Sequence, residues 1–386
     1  MNILFLADCY IEPSVGGIQR VTDTLAKEFV KRGHNVYFLS VNWGQMVAGY
    51  VPTSPQFFVD VKNTREWPTI IKQILNKNKI EYIINQMPGT LTNKVIEEVK
   101  TREKIVSVFH TQPFLDDNVT RLQILRTRTF NLKQRFFKYI SFLLPSLRSL
   151  IFGRLEKRLI LNTLNISDRV CFISERFFPR VLKHIPNFPK EKLIAINNPN
   201  TFVSYENSKK KENVLLWVGR VENGVKNTIG FIKIWEFLYK KNPLWKAIVV
   251  GDGDDLGKVR EYAKKHQITN IEFIGRCDDV KPLYECAKIV VVTSFSESWC
   301  MVLTEGLAYG CVVCAYDTYE TVRDIVFDNI NGIVSEPYPE IMAKKLHIIM
   351  NNENKLNKLA VNTKNSIAKY SVEIITDQWI HLLLSL

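Results

Sequence analysis

The sequence predicts an α/β protein made of two doubly wound domains, each built on a parallel sheet. Short apolar runs alternate with amphipathic segments along the chain, which is the pattern of successive βαβ units. The alternation stops once, at a polar segment near the middle, and then restarts. The chain has 386 residues, which is enough for two domains of ordinary size.

The first half of the chain supplies one sheet. Gly16 and Gly17 follow the first strand and open an amphipathic helix over residues 18–31, and Gly33 occupies the C′ position that ends it. The predicted strands of this half are residues 3–7, 35–40, 82–85, 105–110, 170–173 and 193–196.

The second half begins after a linker. Residues 206–213 are polar and have no apolar period. The strands predicted after them are residues 214–218, 247–250, 271–274, 289–293, 311–315 and 332–334, and residues 371–386 form a final helix. The expected organisation is an N-terminal domain over 1–200, a linker over 201–212, a C-terminal domain over 213–368 and a closing helix over 369–386.

Cysteine usage and the chain's start favour a cytoplasmic protein. The seven cysteines lack metal-ligand spacing, and Val312 and Val313 between Cys311 and Cys314 make that pair strand-like. A reducing compartment and no metal site are therefore expected. The N-terminus has no basic region typical of a signal peptide, and no apolar run reaches the ~18 residues of a membrane span.

The net charge of +13 is unevenly distributed. Residues 118–160 contain ten basic residues and one acidic residue, Glu156, interleaved with aromatic and aliphatic side chains. This composition is typical of basic amphipathic helices on the inner, anionic face of the cytoplasmic membrane. A helical insertion that packs on its own domain is the open alternative. No nucleic-acid partner is expected, because the aromatics group with aliphatics rather than with polar residues.

Glu297 and Glu305 are the most informative pair. Glu297 lies on the loop after the strand at 289–293, and Glu305 lies in the helix predicted over 302–309. Ligands of open α/β sheets bind at the carboxyl ends of the strands, where carboxylates can accept hydrogen bonds from sugar hydroxyls. Taken alone, the pair could equally be two solvated acids, one of them capping a helix.

Cations lie near a second strand end. Gly219 and Arg220 follow the first strand of the second half, and Lys226 begins the next helix. A guanidinium and an ammonium can straddle a diphosphate and stabilise charge on a departing phosphate. Alone they would be ordinary surface cations. Together with the two glutamates they predict a nucleoside-diphosphate site.

Glycine-rich turns allow two interpretations each. Gly16 and Gly17 are expected to bring a helix N-terminus close to an anion, although a flexible turn has the same sequence. Residues 251–257 resemble a degraded dinucleotide fingerprint and an acid pair for metal. We instead expect a turn in which aspartates cap the helix at 256–266, with Gly253 lining the ligand.

His110 ends the strand at 105–110 and would face the mouth of the cleft. There it could hydrogen bond to substrate or donor sugar, or it could simply bind local backbone. The sequence shows no arrangement that pairs a nucleophile with a base.

As a set, these residues resemble those of family 4 retaining glycosyltransferases. The segments that carry the resemblance are Glu297 and Glu305 with seven residues between them, Gly219-Arg220 with Lys226-Asn227, and residues 249–253, 16–20 and 196–199. The resemblance implies a GT-B fold, in which two Rossmann-like domains face a central cleft and the C-terminal helix crosses back to the first domain. It implies that the domain at 1–200 binds the acceptor and that the domain at 213–368 binds the nucleotide sugar. It also implies a UDP- or GDP-linked sugar donor, no metal or cofactor, a glycan or polyprenyl-linked acceptor, and transfer with retention.

Carried over by position, the resemblance gives the site residues roles. Arg220 and Lys226 would hold the donor diphosphate, Glu305 the ribose and Glu297 the sugar. The backbone of Ser298, Trp299, Cys300 and Met301 would reach the sugar or phosphate, with Gly17 and His110 approaching from the other domain. Arg276, which follows the strand at 271–274, is placed by position alone near the nucleobase.

Departures from the family concern donor specificity. Ser298-Trp299-Cys300 replace a glycine, an aromatic and a glycine, and Trp299 would narrow the donor pocket. Gly306 replaces a common alanine, and Arg220 and Lys226 are one residue further apart than usual. The alternatives are a GT-B nucleotide-sugar epimerase, a phosphorylase, or a non-catalytic membrane-associated protein.

Overall fold

The structure, a computed structural model, describes residues 1–43, 50–114, 145–202 and 211–386. It divides into two compact units. The first contains Met1–Phe114, Ser149–Thr201 and Tyr370–Leu386, and the second contains Phe202–Lys369.

The first unit is built on a parallel sheet. Its described strands are β1 (Asn2–Cys9), β2 (Asn35–Trp43), β3 (Gln56–Phe58), β4 (Tyr82–Asn85), β5 (Lys104–Phe109), β6 (Arg169–Phe172) and β7 (Leu193–Ala195). The helices described in this part of the chain are α1 (Gly17–Lys31), α2 (Trp67–Lys77), α3 (Thr90–Val99), α4 (Pro145–Ile166) and α5 (Phe178–His184). Residues 3–7 of β1 are at most 1% exposed, because helices cover both faces of the sheet.

The order of these strands creates a crevice. They lie in the order β3-β2-β1-β4-β5-β6-β7, so the chain leaves β1 toward one edge and later returns to β4 on its other side. The carboxyl ends of β1 and β4 therefore diverge into loops on opposite sides. In open α/β sheets this switch point is where ligands bind.

The second unit repeats the design. Its described strands are β8 (Glu212–Val218), β9 (Lys246–Val250), β10 (Ile271–Gly275), β11 (Ala287–Val292), β12 (Val312–Tyr316) and β13 (Gly332–Ser335). Its described helices are α6 (Thr228–Leu238), α7 (Leu256–Lys265), α8 (Lys281–Cys286), α9 (Met301–Ala308), α10 (Val322–Ile325), α11 (Pro339–Met350) and α12 (Glu353–Ala368). The parallel order β10-β9-β8-β11-β12-β13 places the switch point between β8 and β11.

The last helix, α13 (Val372–Leu384), belongs to the first unit, where it packs against α1. Arg32, which follows α1, donates to the Glu373 carbonyl oxygen at 2.9 Å and forms an ion pair with Asp377. The backbone N–H of Asn200 donates to the Tyr370 carbonyl oxygen at 2.7 Å. The chain's end is thereby attached to its first sheet.

Each predicted strand corresponds to a strand of the structure, and the predicted end of the first helix is confirmed. Gly33 has φ +82°, its N–H donates to Val30, and the next N–H donates to Phe29, as in a Schellman motif. The three-residue strand β3 was not predicted, because it is too short to show a period.

The linker prediction extended too far. Glu212 and Asn213 begin β8 instead. The Lys211 ammonium donates to the carbonyl oxygens of Tyr284, Glu285 and Ala287 at the end of α8, at 2.8–3.3 Å. The polar residues 211–213 therefore cap a helix end and begin a central strand of the sheet.

Most of the basic segment at 118–160 lies outside the described residues, which resume at α4. Beyond residue 150, α4 exposes Phe152 and Leu155 beside Arg154, Lys157 and Arg158. Of the helices in the described ranges, none combines the length and apolarity needed to cross a membrane.

Candidate active site

The switch point of the second unit joins two loops, one after β8 and one after β11. The Thr293 hydroxyl donates to the Asn227 carbonyl oxygen at 2.9 Å, and the Asn227 side-chain amide donates to the Thr293 carbonyl oxygen at 3.1 Å. The N–H of Phe295 donates to the Val225 carbonyl oxygen at 2.7 Å. These bonds hold the start of α6 against the loop that carries Glu297.

Lys226 and Glu297 meet at this junction. The ammonium lies 2.6 Å from Oε1 of Glu297, and the side chains are 28% and 13% exposed. The Ser294 hydroxyl donates to the same carboxylate oxygen at 2.7 Å. The sequence placed both residues at the donor site, and the structure brings them into direct contact.

The ionisation of this cluster follows from its surroundings. Burial would lower the pKa of Lys226, but the charge and hydrogen bond of Glu297, together with the charge of Glu222, outweigh it and raise that pKa. Lys226 is therefore a cation at neutral pH. Burial raises the pKa of the Cys300 thiol to about 12, and the Glu297 charge adds to this, so Cys300 is a neutral side chain rather than a thiolate nucleophile.

Glu305 lies on α9 and is only 3% exposed. Its Oε2 accepts a 2.8 Å hydrogen bond from the hydroxyl of Tyr284 on α8. Burial, reinforced by the Glu305 charge, raises the pKa of Tyr284 well above its usual range, so the phenol remains a donor. Tyr284 therefore fixes the orientation of one of the two predicted ligand-binding carboxylates.

Two predicted cations are exposed. Arg220 follows β8 directly, is 72% exposed, and has its Nε 3.9 Å from Oε2 of Glu222. Arg276 follows β10, two strands from β8, and contacts Asp278 at 3.3 Å. Neither guanidinium contacts the Lys226 and Glu297 cluster in the described structure.

The glycines after β8 and β9 allow two loops to pack backbone against backbone. Gly251 has φ +131°, and a methyl group on it would lie 1.8 Å from the Gly219 carbonyl oxygen. A methyl group on Gly253 would lie 2.3 Å from the Val221 carbonyl oxygen. Close packing thus explains these glycines, and contact of Gly219 and Gly253 with a ligand stays a prediction.

The helix cap predicted for the aspartates of this turn is confirmed in position, at Asp255, and wrong in its hydrogen bond. Asp255 occupies the N-cap position of α7, but its side chain accepts no capping hydrogen bond. Its carboxylate instead accepts from the Asn223 backbone N–H and the Lys258 ammonium, at 2.8 and 2.7 Å. Asp255 therefore ties the β8–α6 loop to α7.

The segment between the glutamates turns inward. Trp299 and Cys300 are buried, Ser298 and Met301 are partly exposed, and α9 begins at Met301 with Cys300 as its N-cap. The first N–H groups of α9 lack intrahelical partners, as at any helix start. Within the described ranges, no group of three or more His, Cys, Asp or Glu side chains is placed to hold a metal ion.

The first unit carries His110 and a pocket at its own switch point. His110 follows β5, and its Nε2 lies 2.5 Å from Oε1 of Gln86, which follows β4. Burial lowers the pKa of His110 to about 4, and a contact with Asn198 opposes this less strongly. His110 is therefore neutral at physiological pH, and both residues line a pocket of about 590 Å³.

Gly16 and Gly17 lie where the sequence placed them, at the start of α1, with Gly16 as the N-cap. A methyl group on Gly16 would lie 2.8 Å from the side-chain oxygen of Gln19, so a larger residue would displace that side chain. The predicted approach of Gly17 to a diphosphate remains a prediction.

Four residues of the two switch-point regions were not predicted from the sequence, namely Tyr284, Ser294, Asp8 and Gln86. For the last three a signal was available, because each is at or just after the carboxyl end of a strand that borders a switch point. Tyr284 gave no such signal, since it comes from a six-residue helix that precedes β11.

The two α/β units, each built on a parallel sheet with a switch point, have the architecture of the GT-B glycosyltransferase fold. The sequence model of Glycosyltransferase Family 4 matches residues 15–199, and that of Glycosyl transferases group 1 matches residues 201–366. The chain belongs to the group 1, family 4-type glycosyltransferases.

Similar proteins match either nearly the whole chain or a part of it. An uncharacterized glycosyltransferase of Haemophilus influenzae is 26% identical over 95% of this chain and 96% of its own. An α-1,4-N-acetyl-D-galactosaminyltransferase of Campylobacter jejuni, named for a saccharide acceptor on PP-undecaprenol, is 32% identical over 58% of this chain and 59% of its own. The crystal structure of Anabaena HepE in complex with UDP aligns with a TM-score of 0.72 at 16% identity, covering 100% of both chains.

Proposed function

We propose that this enzyme transfers a sugar from a nucleoside-diphosphate sugar, with UDP as the first candidate and GDP as the second, to a glycan or polyprenyl-linked acceptor, and that the anomeric configuration is retained. The product would serve cell-surface polysaccharide synthesis. The observation that carries the proposal is the Lys226–Glu297 pair, held by Ser294 at the switch point of the second unit. No metal or cofactor is required in this proposal.

The chemistry assigned to the cluster is charge stabilisation. Lys226, with the exposed Arg220, would bind the diphosphate and stabilise the charge that develops as the bond between the sugar and the phosphate oxygen breaks. The acceptor oxygen forms the new bond to the anomeric carbon from the same face, and its proton passes to the departing phosphate. Glu297 would hydrogen bond to the sugar.

Glu305 is assigned to the ribose hydroxyls. Its Oε2 is already bound by Tyr284 at 2.8 Å, so the carboxylate has little rotational freedom. A fixed acceptor loses little entropy when a ribose hydroxyl donates to it.

Similar proteins support this donor and acceptor chemistry. HepE binds UDP in its crystal structure, and the Campylobacter enzyme is named for an α-linked transfer to a lipid-diphosphate saccharide. An α-product from an α-linked donor requires retention. We extend both properties to this enzyme because its fold and charged cluster suit the same chemistry.

The direct test measures donor use. The purified protein is incubated with UDP-glucose, UDP-galactose, their N-acetylamino forms and GDP-mannose, and release of nucleoside diphosphate is followed. Slow hydrolysis of an accepted donor should give the α-anomer first in proton NMR spectra, whereas a β-anomer first would exclude retention. An epimerase would convert the donor without releasing nucleoside diphosphate, and a phosphorylase would need inorganic phosphate.

Binding separates an enzyme from a non-catalytic protein. Calorimetry should detect UDP or GDP binding to the wild-type chain, and Lys226→Met should weaken it. Lys345→Met removes a half-buried ammonium of the same unit that donates to the Val334 carbonyl oxygen and lies 3.9 Å from Glu336, and this variant should bind like wild type. Absence of any nucleoside-diphosphate binding would contradict the proposal.

We also propose that the enzyme works at the inner face of the cytoplasmic membrane, through residues 118–160. In the described part of this segment, α4 exposes Phe152 and Leu155 among basic residues, a combination that suits an anionic lipid surface. The protein should co-sediment with vesicles containing anionic lipid and not with neutral vesicles. Replacing Phe152 and Leu155 by serine should weaken this binding, whereas Val361→Ser, at an exposed site on α12, should not.

A further inference from the structure

The pocket of about 590 Å³ in the first unit has features that His110 alone does not explain. It lies at the switch point between β1 and β4, the position at which open α/β sheets bind ligands. Its lining includes Asp8 from β1, the segment after β4, the first turn of α3 and His110 after β5. All of these belong to the first unit.

Two polar atoms in this lining are buried without a partner. Oδ1 of Asp8 and Nε2 of Gln86 form no hydrogen bond with the described residues. Gln86 is only 1% exposed, and its side-chain oxygen Oε1 is hydrogen bonded to His110. An acceptor and a donor that lack protein partners in the same pocket must be satisfied by water or by a ligand, and a sugar hydroxyl suits both because it donates and accepts.

The charge around the pocket favours a negatively charged ligand. Lys62 and Lys94 line it, both are exposed, and neither forms an ion pair among the described residues. The Lys94 ammonium lies over the Trp67 ring, 5.6 Å from its centroid. Two ammonium groups exceed the single negative charge of Asp8, and α3 adds the positive end of a ten-residue helix.

We propose that this pocket binds the acceptor through two chemistries: Asp8 and Gln86 bind a sugar hydroxyl, and Lys62 and Lys94 bind an anionic group, phosphate or carboxylate, carried by the acceptor. This assignment rests on the proposed function, because it supplies the acceptor side of the same transfer. It also narrows the substrate class, since a neutral glycan would leave both ammonium groups without an anionic partner.

The first test uses the wild-type protein and matched probes. Glucose 6-phosphate, glucuronic acid and glucose are titrated into the protein and followed by ligand-observed NMR. At low salt the charged probes should bind about fivefold tighter than glucose for each ammonium contacted, and this preference should shrink in 0.5 M salt. The two charged probes distinguish a phosphate from a carboxylate. Equal affinity for all three probes would overturn the proposal.

Variants locate the site. In the double variant Lys62→Ala, Lys94→Ala, the affinity for the charged probes should fall to that for glucose. Lys72→Ala, at an exposed site on α2, should leave all three affinities unchanged. Gln86→Leu should weaken all three probes. If the double variant binds glucose 6-phosphate as wild type does, the anion lies elsewhere and the proposal fails.

Failure of this proposal is distinguishable from failure of the proposed function. UDP binding is assigned to the second unit, so the Lys62 and Lys94 variant should keep wild-type UDP affinity in calorimetry. Charged-probe binding without donor use would refute the proposed reaction alone. Donor use with no preference for charged probes would refute the acceptor assignment alone.

Discussion

Replacing Glu297 by glutamine removes the charge that Lys226 contacts at 2.6 Å and keeps a side chain of the same size. At an effective dielectric constant of about 20, two unit charges at that separation attract by about 6 kcal/mol. Desolvation offsets most of this, and contacting residues usually couple by about 0.5–3 kcal/mol. A diphosphate that binds Lys226 must compete with this coupling in the wild-type enzyme.

Glu297→Gln should therefore bind UDP more tightly although it transfers sugar more slowly. If about 1.4 kcal/mol of the coupling is recovered, the Kd for UDP falls about tenfold. The unliganded variant should also lose about 2 kcal/mol of stability, less than for a fully buried pair, because the Lys226 side chain keeps 28% of its exposure to water.

The assay is calorimetric titration of UDP into wild type, Glu297→Gln and Glu336→Gln at low salt. Glu336 forms a 3.9 Å ion pair at the surface of the same unit, so its variant controls for a general change of charge. Unchanged or weaker UDP binding by a folded Glu297→Gln variant would show that Lys226 does not receive the diphosphate.

Three further variants test the remaining contacts. Tyr284→Phe removes the hydroxyl that donates to a buried oxygen of Glu305. The unfolding free energy measured by chemical denaturation should therefore fall by about 1–3 kcal/mol, and UDP should bind less tightly. Unchanged UDP affinity would exclude Glu305 from the ribose site. His110 has a folded pKa lowered to about 4, so the unfolded chain binds more protons between pH 4 and about 6.5, and stability decreases as the pH is lowered through that window. The difference in unfolding free energy between wild type and His110→Gln should therefore change with pH across this window, and a constant difference would refute it. Gly253→Ala would place a methyl group 2.3 Å from a backbone oxygen and should lower the unfolding free energy by about 3 kcal/mol. Gly257→Ala, with open space around it in α7, should raise the unfolding free energy by about 0.5–1 kcal/mol. Thermal unfolding measures both variants, and equal effects would contradict the packing argument.

The sequence allowed prediction of those features that depend on local pattern. Buried parallel strands are continuous apolar runs, so residues 289–293 could be identified without knowing their neighbours. Gly33 could be assigned to a helix end because few other residues adopt a positive φ. Lys226 and Glu297 could be grouped because each follows a strand, although 71 residues separate them.

Contacts that depend on tertiary packing could not be predicted. Tyr284 reaches Glu305 only because α8 and α9 lie close to each other in the folded unit, and the six residues of α8 have no distinctive period. Asp255 precedes a helix and so has the sequence of an N-cap. In the structure its carboxylate instead accepts a hydrogen bond from Asn223 in the loop after β8, because the loops after β8 and β9 pack together through glycines.

We expect the unusual segment between the glutamates to affect the site through the position of α9. Trp299 and Cys300 are 7% and 3% exposed, so their side chains fill the interior, where the family usually has an aromatic and a glycine. Gly306 offsets this on the same helix: a methyl group there would lie 3.1 Å from Val313 and 3.2 Å from Val290. The larger residues Trp299 and Cys300 at the start of α9 and the smaller Gly306 further along together determine the positions of Glu305 and of the first N–H groups of the helix. Differences in donor specificity from other family members should therefore arise from displacement of α9 as a unit.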